Sequence, residues 1–426
     1  MGGDMTVDGS PTVAVIGAGY EGKRHYYHRL ARHGARLVIV DEPGHWSRAL
    51  AAEIPGTSWV AAPVSGDADA DAAAALDALD RAHVHADGVL TFYEISVRET
   101  ARVAAALGLP GNPPGAVDTA RSKVRTRELS TRLGLPTPKA QRVRSLDELF
   151  AAAAEMGFPA VVKPEFGAGA VGCVKVDSIE SLPGVYKLVR SALTGEHEDY
   201  FRAGSDLLIE EYLDGVEFDI DLILHDGECV FSSVSQNWPT IEPSFQETGL
   251  HLPPDHNKKA VAGLVDLAVR TVQGFGFRSG VLHVEGKCTS RGPRVVEVNA
   301  RMGGTRIYQM VEAVWGVDLI EAQLRSCLGL PPALQPSRKP RCAVVNAMVY
   351  APATGRLAGL PFGRVAPEGG LGLELDVFVQ LGQHVDGPES TFATELAELT
   401  LSGKDLRRAR SLAAQVLREP PRIVPA

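Results

Sequence analysis

The sequence lacks most of the features that would assign it to a membrane, to an oxidising compartment or to nucleic acid. Its five cysteines form no CxxC pair and no metal-binding spacing, so we expect reduced, mostly buried thiols in a cytoplasmic protein. No apolar run approaches the ~20 residues of a transmembrane helix, and residues 1–11 have no apolar core, so neither a membrane span nor a secretory signal is predicted. Lys and Arg form no run of five and the formal net charge is −9, which argues against nucleic acid as a partner.

Repeats are also missing, and low-complexity sequence is limited to one alanine-rich segment. A chain of 426 residues is too long for one ordinary hydrophobic core and predicts about three domains. Between residues 12 and 110, strands of the buried type (TVAVIG, RLVIVD, ADGVLTF) alternate with helical segments, which predicts a small parallel βαβ domain. The Gly- and Pro-rich segment LGLPGNPPGA, residues 107–116, ends this domain.

A glycine-rich turn follows the first of these strands. Gly17, Gly19 and Gly22 are spaced as GxGxxG, and Asp41 ends the next strand. This pattern is the fingerprint of a dinucleotide-binding turn, so an NAD-dependent oxidoreductase is one hypothesis. The alternative is steric, because a tight turn from strand to helix needs glycine whether or not a dinucleotide binds.

Two later strands, GVLHVEGKC and RVVEVNAR, alternate with period two and are joined by the turn TSRGP. If they pair as a hairpin centred on Arg291, Glu285 lies opposite Glu297 and His283 lies opposite Asn299. Carboxylates directly opposite each other repel, so a cation is expected between them. Carboxylate and amide oxygens suit Mg²⁺. The alternative interpretation is a solvated sheet face on which charges alternate by accident.

Two weaker signals precede this hairpin. Lys163 ends a strand beside a loop that contains three glycines, and such loops let backbone N–H groups approach phosphate. A hairpin turn with an exposed lysine would give the same pattern. The strand EFDID carries acidic residues on one face, and the preceding segment, residues 210–213, could offer backbone groups to an adenine edge.

The order of these features is more informative than any one of them. A lysine, a glycine flap, an acidic strand and a carboxylate hairpin that ends in NARMGG resemble the ATP-grasp superfamily, most strongly from residue 121 to 306. HVEGKCTSRGPRVVEVNARMGG is the most specific motif. Within the superfamily, the sequence looks like the carboxylate–amine ligases, a branch that includes bacterial L-amino acid (dipeptide) ligases and carnosine synthase.

The resemblance implies an α/β chain, α+β in the nucleotide domains, with the ATP-grasp fold and the nucleotide between two antiparallel sheets. The expected domains are an N-terminal Rossmann-like domain (1–116), a central subdomain with the glycine flap (117–202), a subdomain with the metal site (203–335) and a C-terminal lobe that completes the ATP-grasp domain (336–426). In this family the glycine turn of the N-terminal domain faces the amino-acid pocket and needs no NAD.

The resemblance also implies ATP and two Mg²⁺ ions, for which Mn²⁺ can substitute. The phosphates would contact Lys123, Lys163 and the flap glycines Gly167, Gly169 and Gly172, the adenine would contact Glu210, Tyr212 and Leu213, and the ribose would contact Glu217. Glu285, Glu297 and Asn299 would hold the metal ions, and Arg301, Gly303 and Gly304 would hold the acyl phosphate and the oxyanion.

The activity implied is the formation of an amide from a carboxylate and an amine, with release of ADP and phosphate. His283, Glu247 and His251 are candidates for the base or for binding the amine, and Glu94 is a candidate for binding the ammonium group of an amino acid or is a surface carboxylate. Leu250 separates Gly249 from His251, whereas family members usually have the histidine directly after the glycine. Small molecules are the expected partners, with a homodimer as the implied assembly. An ATP-grasp carboxylase or a purine-pathway ligase is the main alternative.

Overall fold

The computed structural model describes residues 9–194, 198–304, 306–360, 371–388 and 393–425. The N-terminal segment for which no secretory signal is predicted lies mostly outside these ranges. Within them, no helix combines the length and the apolar character needed to cross a membrane. All five cysteines are free, as expected, but only Cys327 is buried and the other four are partly exposed. The prediction that most thiols are buried is therefore wrong.

The N-terminal region forms a four-stranded parallel sheet in the order β3-β2-β1-β4. Its apolar strands are buried, as their composition predicts, and Asp67 begins the alanine-rich helix by accepting hydrogen bonds from the amides of Asp69 and Ala70. The elements are β1 (Thr12–Ile16), α1 (Arg24–Arg32), β2 (Arg36–Asp41), α2 (Leu50–Glu53), β3 (Ser58–Ala61), α3 (Ala68–Arg81), β4 (Gly88–Leu90) and α4 (Val97–Ala106).

The second region is a small antiparallel sheet in the order β5-β8-β6-β7. It comprises α5 (Pro114–Arg121), α6 (Lys123–Arg132), β5 (Ala140–Val143), α7 (Leu146–Met156), β6 (Ala160–Pro164), β7 (Val174–Val176), α8 (Leu182–Ala192) and β8 (Leu207–Glu211). Ser122 separates α5 from α6 and caps α6 through its hydroxyl. The expected boundary at 116 falls inside α5, and a division at 202 would separate β8 from the sheet to which it is hydrogen-bonded.

The largest element is an eight-stranded antiparallel sheet in the order β13-β12-β9-β10-β11-β14-β18-β16. A further three-stranded sheet, β17-β15-β19, lies near the C-terminus. The elements are β9 (Val216–His225), β10 (Glu228–Asn237), β11 (Gly249–Leu252), α9 (Lys258–Phe275), β12 (Gly280–Thr289), β13 (Gly292–Asn299), α10 (Ile307–Trp315), α11 (Leu319–Cys327), β14 (Ala343–Tyr350), β15 (Gly355–Gly359), β16 (Gly372–Val377), β17 (His384–Val385), β18 (Glu395–Gly403), α12 (Leu406–Val416) and β19 (Arg422–Val424).

Two helices, α9 and α12, cover one face of this sheet. The apolar residues of β9, β12 and β13 pack against α9, and those of β14 and β18 pack against α12. Because side chains alternate along a strand, the polar residues of β9, β12 and β13 lie on the other face. Packing of the apolar residues against α9 therefore fixes the direction in which the charged residues point.

Candidate active site

The pairing of β12 with β13 is the one predicted from the sequence. Glu285 lies opposite Glu297, and His283 lies opposite Asn299. The turn pairs Thr289 with Gly292, so the hairpin is centred between Ser290 and Arg291 and not on Arg291 itself. A bulge between Glu285 and Gly286 shifts the register, and beyond it the pairing is the predicted one. The two carboxylates therefore face each other across neighbouring strands.

These two carboxylates are in different electrostatic environments. Burial, reinforced by the charge of Glu297, raises the pKa of Glu285 to about 8. Although burial opposes ionisation of Glu297 too, Lys123 lowers its pKa, with Nζ at 2.9 Å from Oε1. Asn299 donates from Nδ2 to Glu285 Oε1 at 3.2 Å. Lys123 thus binds one carboxylate of the pair, and His283 Nε2 lies 3.9 Å from Oε1 of the other.

The small sheet contributes a second buried charge group. Lys163 of β6 and Arg127 of α6 both bind Glu210 of β8, Arg127 through Nε at 2.9 Å from Oε2. Although burial would raise it, these two cations hold the pKa of Glu210 at about 2. All three side chains are almost fully buried. The carboxyl group of Glu210 is thus used by protein cations, so its predicted contact with adenine could come only from the main chain.

A cavity of about 930 Å³ lies between the two antiparallel sheets. It brings together eleven of the predicted residues, namely Lys123, Lys163, Gly167, Gly169, Glu210, Tyr212, Leu213, Glu217, Glu247, Glu285 and Glu297. Burial, followed by the charge of Asp219, raises the pKa of Glu247 to about 8. Gly172 is not part of the lining, although it belongs to the same loop. Its φ is +77°, and an added Cβ would lie 3.1 Å from Pro164, so this loop needs glycine there.

A third group of charged side chains surrounds Glu94. The guanidinium of Arg301, on the segment that follows β13, lies 2.9 Å from Glu94 and donates to Asn299 Oδ1 at 3.3 Å. Glu94 also lies 3.8 Å from Arg121 and is 4% exposed. The interpretation of Glu94 as a surface carboxylate is therefore wrong, and its charge is already balanced by arginines rather than free for a substrate ammonium group.

The histidine of β12 is tied to the same segment. Asp221 Oδ1 is 3.0 Å from His283 Nδ1 and accepts a hydrogen bond from the amide of Gly303 at 3.2 Å. Although burial opposes it, Asp221 raises the pKa of His283 to about 9. The contact with Asp221 favours the protonated imidazole, and the role of His283 as the base or in binding the amine stays a prediction. Gly304 has open space where a side chain would begin.

His251 does not face the cavity, so its prediction as a substrate residue is wrong. His251 belongs to β11, which pairs with β10 and β14. Leu250 lies opposite Asn237, whose Nδ2 donates to Asp219 on the polar face. His251 therefore points to the other face, where it is fully buried and accepts a hydrogen bond from Trp238. Burial lowers the pKa of His251 to about 4.

Several charged residues at the site were not singled out from the sequence. Lys287 lines the cavity with its Nζ 3.3 Å from Glu217, and the period-two pattern does place it on the same face as Glu285. Arg121 and Arg127 carry no such signal, because their roles follow from the packing of α5 and α6 against distant strands.

The side-chain oxygens of Glu285, Glu297 and Asn299 suit a hard cation such as Mg²⁺ that is bound partly by the protein and partly by a substrate. Among the described residues, no group of three or more His, Cys, Asp or Glu side chains forms a complete metal cage. Mg²⁺ is commonly bound by one or two carboxylates together with water and substrate phosphates. The facing pair Glu285 and Glu297, with the amide of Asn299 beside it, meets that requirement.

Comparison with known proteins agrees with this architecture. Residues 156–309 match the model of an ATP-grasp domain, and residues 27–111 match the model of an ATP-grasp N-terminal domain. The structure also matches the crystal structure of an L-amino acid ligase from Bacillus licheniformis, with a TM-score of 0.82 over 99% of this chain and 100% of that chain, at 20% identity. The chain has the ATP-grasp fold, and the two family models place an ATP-grasp domain and an ATP-grasp N-terminal domain in it.

The chain is also similar in sequence to carnosine synthases. It is 34% identical to carnosine synthase 1 of Gallus gallus over 81% of this chain and 38% of that protein, and 30% identical to the Homo sapiens protein over 78% of this chain and 42% of that protein. It is also 26% identical to the alanine–anticapsin ligase of Bacillus subtilis over 56% of this chain and 53% of that protein. The chain thus spans about two fifths of the length of the carnosine synthases that it matches.

Proposed function

We propose that this protein is an ATP-dependent ligase that joins the carboxylate of an amino acid to the amine of a second amino acid or amine. The observation that carries the proposal is the facing pair Glu285 and Glu297, placed beside two buried lysines in a cavity between two antiparallel sheets. The names of the relatives support substrates of this class.

In this proposal the cavity binds ATP. Lys123 and Lys163, each of which already lies beside a carboxylate, contact the phosphates. The adenine lies near Tyr212 and Leu213, and Glu217 holds the ribose. Glu285, Glu297 and Asn299 would hold two Mg²⁺ ions, for which Mn²⁺ can substitute, and the metal would supply positive charge between the carboxylate pair and the phosphates.

The chemistry proceeds through an acyl phosphate. A carboxylate oxygen attacks the γ-phosphorus of ATP, and ADP leaves. The amine nitrogen then attacks the carbonyl carbon, phosphate leaves with its bonding electrons, and the amine loses a proton. The protein must bring the substrate carboxylate close to the negatively charged triphosphate. Fixed cations in a site from which water is excluded favour this approach most strongly. In this proposal Arg301 and the backbone of Gly303 and Gly304 stabilise the acyl phosphate and the oxyanion.

The test is a phosphate-release assay with ATP, Mg²⁺ and pairs of amino acids, with products identified by mass spectrometry. We expect ADP, phosphate and amide in equal amounts, and transfer of ¹⁸O from a labelled carboxylate to phosphate. Glu297→Gln should lower kcat about 100-fold or more, because several kcal/mol of charge stabilisation is lost. Glu228→Gln, at an exposed position of the same sheet, is the matched control.

Absence of amide with every amino-acid pair would contradict the proposed ligase. Phosphate release with bicarbonate alone would favour the carboxylase alternative instead. Full activity of Glu297→Gln would contradict the metal assignment. The cytoplasmic location and the homodimer stay predictions of the sequence.

A further inference from the structure

A segment of the large sheet reaches the small sheet beside the cavity that lies between them. It connects β10 with β11 and comprises residues 238–248, which we call the bridging segment. Thr240, Phe245 and Glu247 of this segment line the cavity. Glu242 and Pro243, between them, contact β7, the strand that follows the glycine loop. The bridging segment therefore touches both the cavity and the opposite sheet.

The contact with β7 is made by main chain and side chain together. The amide of Lys175 donates to the carbonyl oxygen of Pro243 at 2.9 Å, and Nζ of Lys175 donates to Glu242 Oε2 at 2.7 Å. Both distances are those of well-formed hydrogen bonds, and the second is charge-assisted. One residue of the small sheet thus binds the bridging segment at two points.

Glu242 also binds a residue of the cavity wall. The hydroxyl of Tyr212 donates to Glu242 Oε1 at 2.7 Å, and Lys175 Nζ lies 4.7 Å from the centre of the Tyr212 ring. The hydrogen bonds from Lys175 and then from Tyr212 lower the pKa of Glu242, so the carboxylate is ionised. Because Tyr212 follows β8 and lines the cavity, Glu242 joins three segments of the chain at one end of it.

The bridging segment has a backbone conformation that its surroundings must impose. Phe245 has a φ of +57°, in the left-handed region that a bulky side chain rarely adopts. On the other side of Phe245, the carboxamide of Gln246 forms hydrogen bonds with both the amide and the carbonyl oxygen of Ala393. The contacts of Glu242 and Gln246 therefore hold the chain on both sides of Phe245, directly before Glu247.

We propose that Glu242 is a positioning residue: it binds Lys175 and Tyr212 when the two sheets close on the nucleotide, and it thereby couples nucleotide binding to the placement of Glu247. This inference rests on the proposed function, because it needs ATP between the two sheets and takes Glu247 as a residue that meets the amine.

The exposure of Glu242 favours this role over a purely structural one. Its side chain is 38% exposed, and exposed ion pairs contribute little to stability. The bridge instead connects parts with different ligands, since β7 continues the glycine loop at the phosphates and Glu247 faces the amine. A nucleotide held by both sheets favours the arrangement in which the sheets are close, and the bridge forms in that same arrangement. By linkage, each therefore strengthens the other.

The first experiment measures this linkage without turnover. ADP with Mg²⁺ is titrated calorimetrically into the wild type, Lys175→Met, Glu242→Gln and the double variant. We expect each single variant to bind ADP about 2- to 5-fold more weakly, the factor that a partly exposed ion pair provides. The double variant should bind no more weakly than the weaker single variant, because both substitutions remove the same contact.

Asp177→Asn is the matched control for these variants. The carboxylate of Asp177 also lies near Lys175, at 3.7 Å from Nζ, but it belongs to the small sheet itself and is 76% exposed. We expect Asp177→Asn to bind ADP as the wild type does. The thermal midpoints of all the variants should stay close to that of the wild type, because the residues replaced form exposed pairs.

Hydrogen exchange then tests whether the coupling reaches Glu247. In the wild type, saturating ADP with Mg²⁺ should slow exchange of the amides of residues 244–248 about 3-fold or more, because the bridging segment opens less often. In Glu242→Gln, saturating nucleotide should slow the same amides less. Saturation of each protein removes the difference in affinity, so weaker protection reports the lost coupling.

In turnover, a misplaced amine lets water react instead. A water oxygen attacks the carbonyl carbon of the acyl phosphate, phosphate leaves with its bonding electrons, and the carboxylate is regenerated with loss of a proton. We expect Glu242→Gln to release about twice as much phosphate as amide, or more, because a closed site normally protects such an intermediate from water. The wild type and Asp177→Asn should release equal amounts. A ratio of one in Glu242→Gln would contradict the coupling to Glu247.

Four results of the binding experiments would overturn the inference: unchanged ADP affinity in Glu242→Gln, an equal loss of affinity in Asp177→Asn, additive losses in the double variant, or equal protection of residues 244–248 in Glu242→Gln and the wild type. Non-additive loss of affinity and weaker protection in a protein that forms no amide would support the role of Glu242 and contradict the ligase, so the two proposals can fail separately.

Discussion

The buried Glu210 offers a quantitative test of the electrostatics of the site. Glu210→Gln keeps the shape of the side chain but leaves Arg127 and Lys163 without their counter-charge. The fall in the pKa of Glu210 from its ordinary 4.5 to about 2 corresponds to about 3 kcal/mol of preference for the ionised form in the folded protein. We therefore expect the variant to be destabilised by roughly 3 kcal/mol, in the range found when one partner of a buried ion pair is removed.

Native-state hydrogen exchange of the amides of β6 and β8 is the suitable assay, because a chain with several domains need not unfold in one step. Glu211→Gln is the matched control one residue away. Glu211 pairs with Arg291, whose side chain is 52% exposed, and such a surface pair contributes about 0–1 kcal/mol. If both variants lower the opening free energy equally, the buried network does not stabilise β8 as argued.

The pH dependence of the same measurement has a definite sign. Because the pKa of Glu210 is lowered on folding, its contribution is fully present above about pH 4.5 and is lost as the pH falls towards 2. The difference between wild type and Glu210→Gln should therefore shrink over that interval. A difference that grows as the pH falls would refute the reasoning.

Two further predictions concern the face of β11 and the glycine flap. His251→Leu should leave KM for both substrates unchanged, because the side chain lies on the face covered by helices. It should lower stability by about 1–3 kcal/mol, since Trp238 loses its hydrogen-bond acceptor. A rise in KM in initial-rate assays would place His251 at the substrate after all. Gly172→Ala should raise KM for ATP, because the φ of Gly172 is +77° and the new Cβ would meet Pro164. Gly169 has a φ of +60° and no atom within 4 Å of an added Cβ in the described structure, so Gly169→Ala should have the smaller effect. Equal effects in the two variants would show that the contact with Pro164 is unimportant.

The features that could be predicted from the sequence are those that depend on local periodicity. Alternation along β12 and β13 and the short turn between them place Glu285 opposite Glu297, since pairing in a hairpin is fixed by neighbouring residues. The parallel N-terminal sheet follows in the same way from its apolar runs. The predicted centre of the hairpin differs from the observed one at the turn, but the bulge after Glu285 shifts the register so that the predicted pairing of Glu285 with Glu297 still forms.

The features that could not be predicted depend on contacts between distant segments. Nothing near Glu94 indicates that Arg121 and Arg301 will bind it, because these residues come from three separate parts of the chain. The face on which His251 lies is fixed by the pairing of β11 with β10 and with β14, a strand almost a hundred residues later. Short strands with non-local partners carry little signal of their own.

The GxGxxG motif shows how one sequence pattern can serve two kinds of site. An added Cβ at Gly17 would lie 2.1 Å from Ser96 Oγ, so the space above the turn is occupied by the protein's own side chain. Asp41, which in a dinucleotide site would bind a ribose, accepts hydrogen bonds from the amide of Ala18 at 2.8 Å and from Ser47.

A cavity of about 1060 Å³ does adjoin this turn, but its charge does not suit a dinucleotide. Its described lining includes the acidic residues Asp41, Glu42, Asp71, Glu99 and Asp199 against one arginine, Arg202. A pyrophosphate would meet a predominantly acidic surface there. Gly17 and Gly19 are therefore explained by close packing, because an added Cβ would lie 2.1 Å from Ser96 Oγ at Gly17 and 2.8 Å from the ring of Tyr93 at Gly19. The steric requirement that produces the motif in NAD-binding proteins is met here by packing of the turn against the protein's own side chains.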